Sequence, residues 1–215
     1  MDKAQAPQAV PRHFNMLRSY HLADLITLAN AFCGMGSILF LMSWLISPER
    51  WRMNTAIWLL PAALVFDVLD GSVARWRHAQ SVLGRELDSL ADIVSFGVAP
   101  ASLAFALGLR GAWDGLILVF FVGCGISRLA RFNVTAETLS EGSATGKVKY
   151  FEGTPIPTSL VLVLILATCF WNDHVAEFIP LGAMALGPFT WHPLSILYLI
   201  SGSAMISKTL RVPKP

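Results

Sequence analysis

Six long apolar segments divide this chain of 215 residues and constrain its fold more than any other feature. Each segment meets or approaches the ~20 residues that a helix needs to cross a bilayer. The alternating pattern of a membrane barrel strand does not accompany them. We therefore predict an all-α, polytopic integral membrane protein with one domain over 1–215. The segments cover 22–47, 54–74, 86–109, 112–132, 156–172 and 193–210.

The composition agrees with a membrane protein. Hydrophobic residues make up 54% of the chain and charged residues 14%, whereas a soluble domain carries about 25% charged residues. The formal net charge of +2 is too small to indicate a nucleic-acid partner. The three cysteines lie inside apolar segments and form no ligand cluster, so we expect neither a disulfide framework nor a cysteine-bound metal.

The positions of lysine and arginine predict the topology. If the N-terminus is cytoplasmic, only Arg50, Arg52 and Arg110 of the 16 basic residues lie on the outer side. This asymmetry is a strong positive-inside signal, and it places both termini in the cytoplasm. We expect 1–21 to form a cytoplasmic or interfacial segment and 22–210 to form the six-helix transmembrane core.

Two segments depart from a regular spanning helix. Gly97 and Pro100 lie inside the third apolar segment and should bend or loosen that helix. The stretch 174–189 is apolar but contains two prolines. We expect it to be a loop lying at the membrane interface.

Four aspartates lie close to hydrophobic sequence, where a charge is costly. Asp67 and Asp70 are separated by about 60° around a helix, and Asp88 and Asp92 by about 40°, so each pair shares one face. The connection between the two helices is short, which makes them antiparallel neighbours. The sequence therefore predicts one pocket with four carboxylates at the cytoplasmic membrane boundary.

Four carboxylates in one pocket cannot all remain ionised unless cations neutralise them. Oxygen ligands favour hard divalent ions, and two such ions would balance four charges. A two-metal site suits displacement at phosphorus, and Gly71 and Arg75 beside the aspartates suit a phosphate ligand. An ion or proton transporter is the alternative from another class, although it gives these two residues no clear role.

The spacing of these residues resembles the signature of the CDP-alcohol phosphotransferase family. Eight residues at fixed intervals carry the resemblance: Asp67, Asp70, Gly71, Ala74, Arg75, Gly84, Asp88 and Asp92. The resemblance implies two Mg²⁺ or Mn²⁺ ions bound by the four aspartates, with Asp92 also acting as general base. It implies transfer of a phosphoryl-linked alcohol from a CDP-alcohol to an acceptor hydroxyl, with release of CMP.

The same resemblance implies a set of residues that contact the CDP-linked donor. Family members often carry Pro-Asn-x-x-Thr at the start of the first helix, and here Ala23 and Asp24 replace the first two residues. The residues expected to contact CDP-diacylglycerol are Gly71, Ala74, Arg75, Ser81, Asp24 and Thr27.

Four further stretches resemble the phosphatidylserine synthase branch of the family. They are "ITLANAFCGMGSI" (26–38), "DSLADIVSFGVAPA" (88–101), "SRLARFN" (127–133) and "YFEGTPIPTS" (150–159). The branch implies CDP-diacylglycerol and L-serine as substrates, contacts with membrane lipids, and a homodimer. Glycerol phosphate, inositol phosphate and choline are alternative acceptors for the same chemistry. The candidate acceptor-binding residues are Arg128, Arg131, Asn133, Lys147, Lys149 and Glu152.

The family also suggests where the protein resides. We expect an integral protein of a bacterial inner membrane, with its active site facing the cytoplasm.

Overall fold

A computed structural model describes residues 22–77, 82–142, 150–207 and 211–213, and it is mostly helical. Five α-helices come first: α1 (Leu22–Ile46), α2 (Arg50–Arg77), α3 (Val82–Asp92), α4 (Ala99–Leu107) and α5 (Ala112–Gly142). Strand β1 (Tyr150–Glu152) follows, and then α6 (Leu160–Trp171), β2 (Met184–Leu186), β3 (Phe189–Trp191), α7 (Ile196–Ile206) and β4 (Arg211–Pro213). Short 3₁₀ turns cover Ile156–Ser159, Ala176–Phe178 and Pro193–Ser195, and a π-helical stretch covers Ile93–Val98.

Four helical stretches among the described residues are long and apolar enough to cross a membrane. They are Ala23–Ile46, Arg50–Val73, Leu83–Leu107 and Ala112–Val134. Large apolar side chains on three of them face outward, and Phe32, Trp58 and Val119 are each more than 60% exposed. A helix with an exposed apolar face is stable in lipid because all of its backbone groups are bonded internally.

The last two apolar segments form shorter helices. Ile156–Trp171 and Pro193–Ile206 fall between 10 and 17 residues, below the ~20 residues of a full spanning helix. Within the described residues, each of the six predicted apolar segments contains a helix, and four of these helices have the length of a membrane span. The short helices still belong to the core, because Leu166 on α6 and Tyr198 on α7 are buried.

The predicted loosening of the third helix takes the form of a π-helical stretch at Ile93–Val98. Pro100 has no N–H to donate to the preceding turn, so the regular α-helical bonding pattern cannot continue through it. The stretch packs tightly on α1, where a Cβ added to Gly34 would lie 2.7 Å from the Ser95 Cα. The Ser95 hydroxyl donates a 2.9 Å hydrogen bond to the Asn30 carbonyl.

The stretch 174–189 is only partly the loop that the sequence predicted. It includes a 3₁₀ turn at Ala176–Phe178, strand β2 and the first residue of β3. Strands β2 and β3 form an antiparallel hairpin in which Met184 pairs with Trp191. A second antiparallel ribbon pairs β1 with β4.

The connection between α2 and α3 positions the aspartates. Because only 78–81 separate the two helices, the C-terminal end of α2 and the N-terminal end of α3 lie at the same end of the molecule. Helix α1 packs along α2 and also contacts α3 and the π-helical stretch. The N-terminal half of α1 therefore lies against the aspartate-bearing helix ends.

Candidate active site

The four aspartates converge where α2 and α3 meet. One carboxylate oxygen each from Asp67, Asp70 and Asp88 lies within 4.8 Å of the other two. The carboxyl groups of Asp67 and Asp92 are close enough to interact with each other electrostatically. The two pairs predicted from helical spacing thus face one another across the helix interface.

This cluster has the donor set of a divalent-cation site. Like charges held this close repel one another strongly where water is scarce, because the local dielectric constant is low. Asp70 and Asp92 are only 6% and 8% exposed, so solvent screens them little. Among the described residues, Asp88 Oδ1 is buried without a hydrogen-bond partner. An oxygen-only set with an unpartnered buried oxygen fits a hard divalent cation.

Helix α1 contributes two polar side chains to the cluster. The Thr27 hydroxyl donates a 2.6 Å hydrogen bond to Asp70 Oδ2, and the Asn30 amide donates one of 3.3 Å to Asp92 Oδ1. Both donors are buried. Because a neutral donor holds a carboxylate without adding a competing charge, Thr27 and Asn30 are well suited to orient the two aspartates.

A small cavity of about 170 Å³ adjoins the cluster. Helices α3 and α5 and the turn before α6 enclose it. Asp88 and Asp92 form its acidic side, and Arg85 and Arg128 contribute two guanidinium groups. Its complete lining is Arg85, Asp88, Ser89, Asp92, Arg128, Leu129, Phe132, Asn133, Pro155 and Pro157.

A hydrogen-bond network joins α3 to α5 along one wall of this cavity. The Asn133 amide group donates to both carboxylate oxygens of Glu86, each at 3.3 Å. Its carbonyl oxygen lies 3.2 Å from the Ser89 hydroxyl. These contacts fix the orientation of Asn133 in the cavity wall.

Some of the predicted binding residues lie near the cluster. Asp24 is buried on α1 and is close enough to Asp70 to interact with it electrostatically. A Cβ at Gly71 would meet nothing within 4 Å among the described residues, which leaves room for a ligand against the backbone. Thr27 contacts Asp70 directly.

Other predicted residues are away from the cavity or beyond what the structure describes. Arg131 is exposed on α5 and does not line the cavity. Ala74 and Arg75 lie in α2, and Glu152 in β1, but the described side chains do not include theirs. Ser81, Lys147 and Lys149 lie outside the described residues.

The sequence reasoning missed three residues of this site: Asn30, Arg85 and Ser89. The sequence contains a pattern that indicates Asn30. Polar residues recur at every third position of an apolar helix, at Asp24, Thr27 and Asn30, and lie towards one face. The charge pattern of the sequence identifies Arg85 only as one of the basic residues on the cytoplasmic side. Ser89 follows Asp88 directly and carried no separate signal.

Comparison with known proteins identifies the family of this chain. A sequence model of the family described as CDP-alcohol phosphatidyltransferase matches residues 20–190. A CDP-diacylglycerol--serine O-phosphatidyltransferase of Saccharomyces cerevisiae is 47% identical over 204 residues, which are 94% of this chain and 74% of the relative.

Two relatives from prokaryotes extend the comparison. A Helicobacter pylori protein with the same name is 38% identical over 162 residues, 74% of this chain and 61% of the relative. An archaetidylserine synthase of Methanothermobacter thermautotrophicus is 35% identical over 169 residues, 77% of this chain and 66% of the relative. The chain thus spans between about three fifths and three quarters of the length of these three proteins.

Proposed function

The chain belongs to the CDP-alcohol phosphatidyltransferase family, and we propose that it transfers the phosphatidyl group of CDP-diacylglycerol to the hydroxyl of L-serine. The products are phosphatidylserine and CMP. The names of the three relatives described above agree on serine. The observation that carries the proposal is the clustering of Asp67, Asp70 and Asp88 beside a cavity that Asp92 and two arginines also line.

The four aspartates are proposed to hold two Mg²⁺ or Mn²⁺ ions. Bound there, the ions would neutralise charge on the transferring phosphoryl group and on the departing CMP. Thr27 and Asn30 would keep Asp70 and Asp92 in their orientations. Thr27 was predicted as a donor-substrate contact, and its bond to Asp70 supports the proposal that it acts through that carboxylate.

Asp92 is proposed as the general base. The serine hydroxyl oxygen would form a bond to the lipid phosphorus as its proton passes to Asp92, and the bond between that phosphorus and the bridging oxygen of CMP would break. Asp92 suits this role because it lines the cavity and also lies beside Asp67. Because Asp92 lies between the cavity and the other aspartates, its carboxylate can take a proton from an acceptor bound in the cavity.

The donor would bind along the C-terminal part of α2. The CDP portion is proposed to contact Gly71, Ala74 and Arg75 on α2. Ser81 in the following connection and Asp24 on α1 are proposed as further contacts. The space beside Gly71 supports close approach of the nucleotide to the backbone. The acyl chains would remain in the bilayer, against the apolar outer faces of the spanning helices.

The acceptor would occupy the small cavity. Arg128 and Asn133 are proposed to contact it, since both line the cavity next to Asp92. Arg131, Lys147, Lys149 and Glu152 remain proposed contacts, and the exposure of Arg131 suits a role at the entrance.

We propose a six-span arrangement with both termini and the active site on the cytoplasmic side, in a homodimer. The positive-inside asymmetry supports the orientation, and the inner membrane of a bacterium is the proposed location. A cysteine at Ser47, between α1 and α2, should react with a membrane-impermeant maleimide from outside intact cells. A cysteine at Ser207, after α7, should react only after permeabilisation. The opposite pattern would reject this orientation.

The proposed reaction is tested by an acceptor series. Purified protein in detergent receives CDP-diacylglycerol and Mn²⁺, with L-serine, glycerol 3-phosphate, inositol 1-phosphate or choline, and CMP release is followed. We expect release only with serine. Release of CMP with another acceptor would support the same reaction with a different acceptor substrate. No release with any of the four acceptors would favour the transporter hypothesis instead.

A further inference from the structure

Arg85 and Arg128 both line the cavity beside Asp92. Each has its Nε buried and, within the described residues, without a hydrogen-bond partner. Neither arginine takes part in an ion pair found in the described part of the chain. A buried N–H donor left unpaired is costly, and an anion that enters the cavity would satisfy both Nε donors.

The neighbouring aspartates do not provide that anion. Arg128 is near enough to Asp92 to interact with it electrostatically, yet no ion pair of 4.0 Å or less joins them. The aspartate cluster has the donor set for cations of its own. Once its charge is neutralised in this way, the two arginines remain available for a separate anionic ligand.

The size of the cavity limits what this anion can be. The cavity has a volume of about 170 Å³. Sites for drug-sized ligands occupy about 300–1,000 Å³, so the cavity suits a small ligand better than a nucleotide. A ligand with only a few heavy atoms would fill it.

The walls of the cavity define the chemistry of the ligand further. Leu129, Phe132 and Pro157 supply apolar surface, which strengthens a charge interaction by excluding water. Arginine matches a planar anion with two oxygens especially well, because its N–H groups form a fork. A carboxylate held by Arg85 and Arg128 would leave the rest of a small molecule directed towards Asp92.

We propose that Arg85 and Arg128 together bind the carboxylate of the acceptor, and that this contact selects a hydroxy amino acid over an amino alcohol. The proposal rests on the proposed function and adds to it the group by which the acceptor is recognised. In this proposal Arg85 determines acceptor specificity, although it is not one of the eight residues of the family signature.

The test measures KM for L-serine and KM for CDP-diacylglycerol separately, with the full chain in detergent and Mn²⁺. Arg85→Gln and Arg128→Gln remove one guanidinium each, and Arg128→Lys keeps the charge without the fork. Arg50→Gln is the matched control, because it removes an exposed arginine paired with Asp173 near the opposite end of α2. A thermal melt of each variant checks that it is folded.

We expect each glutamine variant to raise KM for L-serine roughly 10- to 100-fold, the effect of losing a charge-assisted hydrogen bond. KM for CDP-diacylglycerol should stay at the wild-type value, and Arg128→Lys should fall between wild type and Arg128→Gln. A rise in KM for CDP-diacylglycerol with an unchanged KM for serine would overturn the proposal, since the arginines would then bind phosphate.

Competing small molecules provide a second test that does not depend on whether a variant folds. With the wild-type protein, 3-hydroxypropanoate carries the hydroxyl and the carboxylate and should suppress phosphatidylserine formation in competition with serine. Ethanolamine lacks the carboxylate and should not compete. Equal competition by both compounds would overturn the proposal while leaving serine as the acceptor. Failure of the wild-type protein to use serine at all would overturn the proposed function, and this inference with it.

Discussion

The side-chain amide of Asn30 donates a 3.3 Å hydrogen bond to the carboxylate of Asp92, which joins α1 to the end of α3 inside the aspartate cluster. The carbonyl of the same residue accepts a hydrogen bond from Ser95 in the π-helical stretch that follows Asp92. Asn30 is therefore bonded to the chain on both sides of the turn where α3 becomes π-helical. This arrangement makes α1 part of the site although it carries none of the four aspartates.

Asn30→Ala should lower kcat about tenfold, because a hydrogen bond to a charged group contributes about 1.5–3 kcal/mol and part of that orients Asp92. KM for both substrates should change little. Ser37→Ala is the control, since the buried Ser37 hydroxyl bonds the Ala56 carbonyl at 2.9 Å on the same helix but away from the cluster. A loss of stability equal to that of the control, with an unchanged kcat, would contradict the orienting role of Asn30.

Asp92→Asn should abolish turnover, because an amide cannot accept the proton of the attacking hydroxyl. The shape of the side chain is kept, so binding of CDP-diacylglycerol should remain close to that of wild type. Equilibrium binding of the lipid and CMP release measure the two properties independently. Full activity of this variant would exclude Asp92 as the base.

Removal of divalent cations should abolish activity, and addition of Mn²⁺ or Mg²⁺ should restore it. An ion that binds only the folded protein stabilises it by about 2.7 kcal/mol at 100 times its Kd, so Mn²⁺ should also raise the Tm. Asp88→Asn should weaken that increase, because Asp88 supplies an unpartnered oxygen. An equal increase of Tm in the variant and in wild type would place the ion elsewhere.

Gly34→Ala should destabilise the protein by about 1–3 kcal/mol, as expected when a methyl group is forced into a packed contact. Its Cβ would lie 2.7 Å from the Ser95 backbone. In Gly36→Ala the new Cβ would lie 3.3 Å from the end of the flexible Leu59 side chain, which can move, so a smaller cost is expected. The Tm of both variants in the same detergent measures the difference, and equal values would contradict the close packing of α1 on the π-helical stretch.

The aspartate geometry could be predicted because it depends on helical periodicity and one short connection. Asp67 and Asp70 must share a face of α2, and the four-residue gap before α3 brings Asp88 to the same end. Residues from distant segments were harder to predict. The contact of Asn30 with Asp92 depends on how α1 packs against α3, and no local pattern reports that packing.

The errors in the fold have a related origin. A count of apolar residues identified the segments that became α6 and α7, but hydropathy alone does not fix where a helix begins. The 3₁₀ turns before both helices and the hairpin of β2 and β3 shorten the regular structure there. Arg85 escaped notice because a basic residue near a membrane boundary has a general explanation, and only the cavity gives it a specific one.

The most direct test of the central claim is the lipid product itself. Purified protein is incubated with CDP-diacylglycerol, Mn²⁺ and isotopically labelled L-serine, and the extracted lipid is analysed by mass spectrometry for wild type and Asp92→Asn. We predict labelled phosphatidylserine and an equal amount of CMP from wild type, and neither from the variant. CMP release without label in the lipid, or labelled lipid from both proteins, would contradict the assignment of this aspartate cluster as a serine phosphatidyltransferase site.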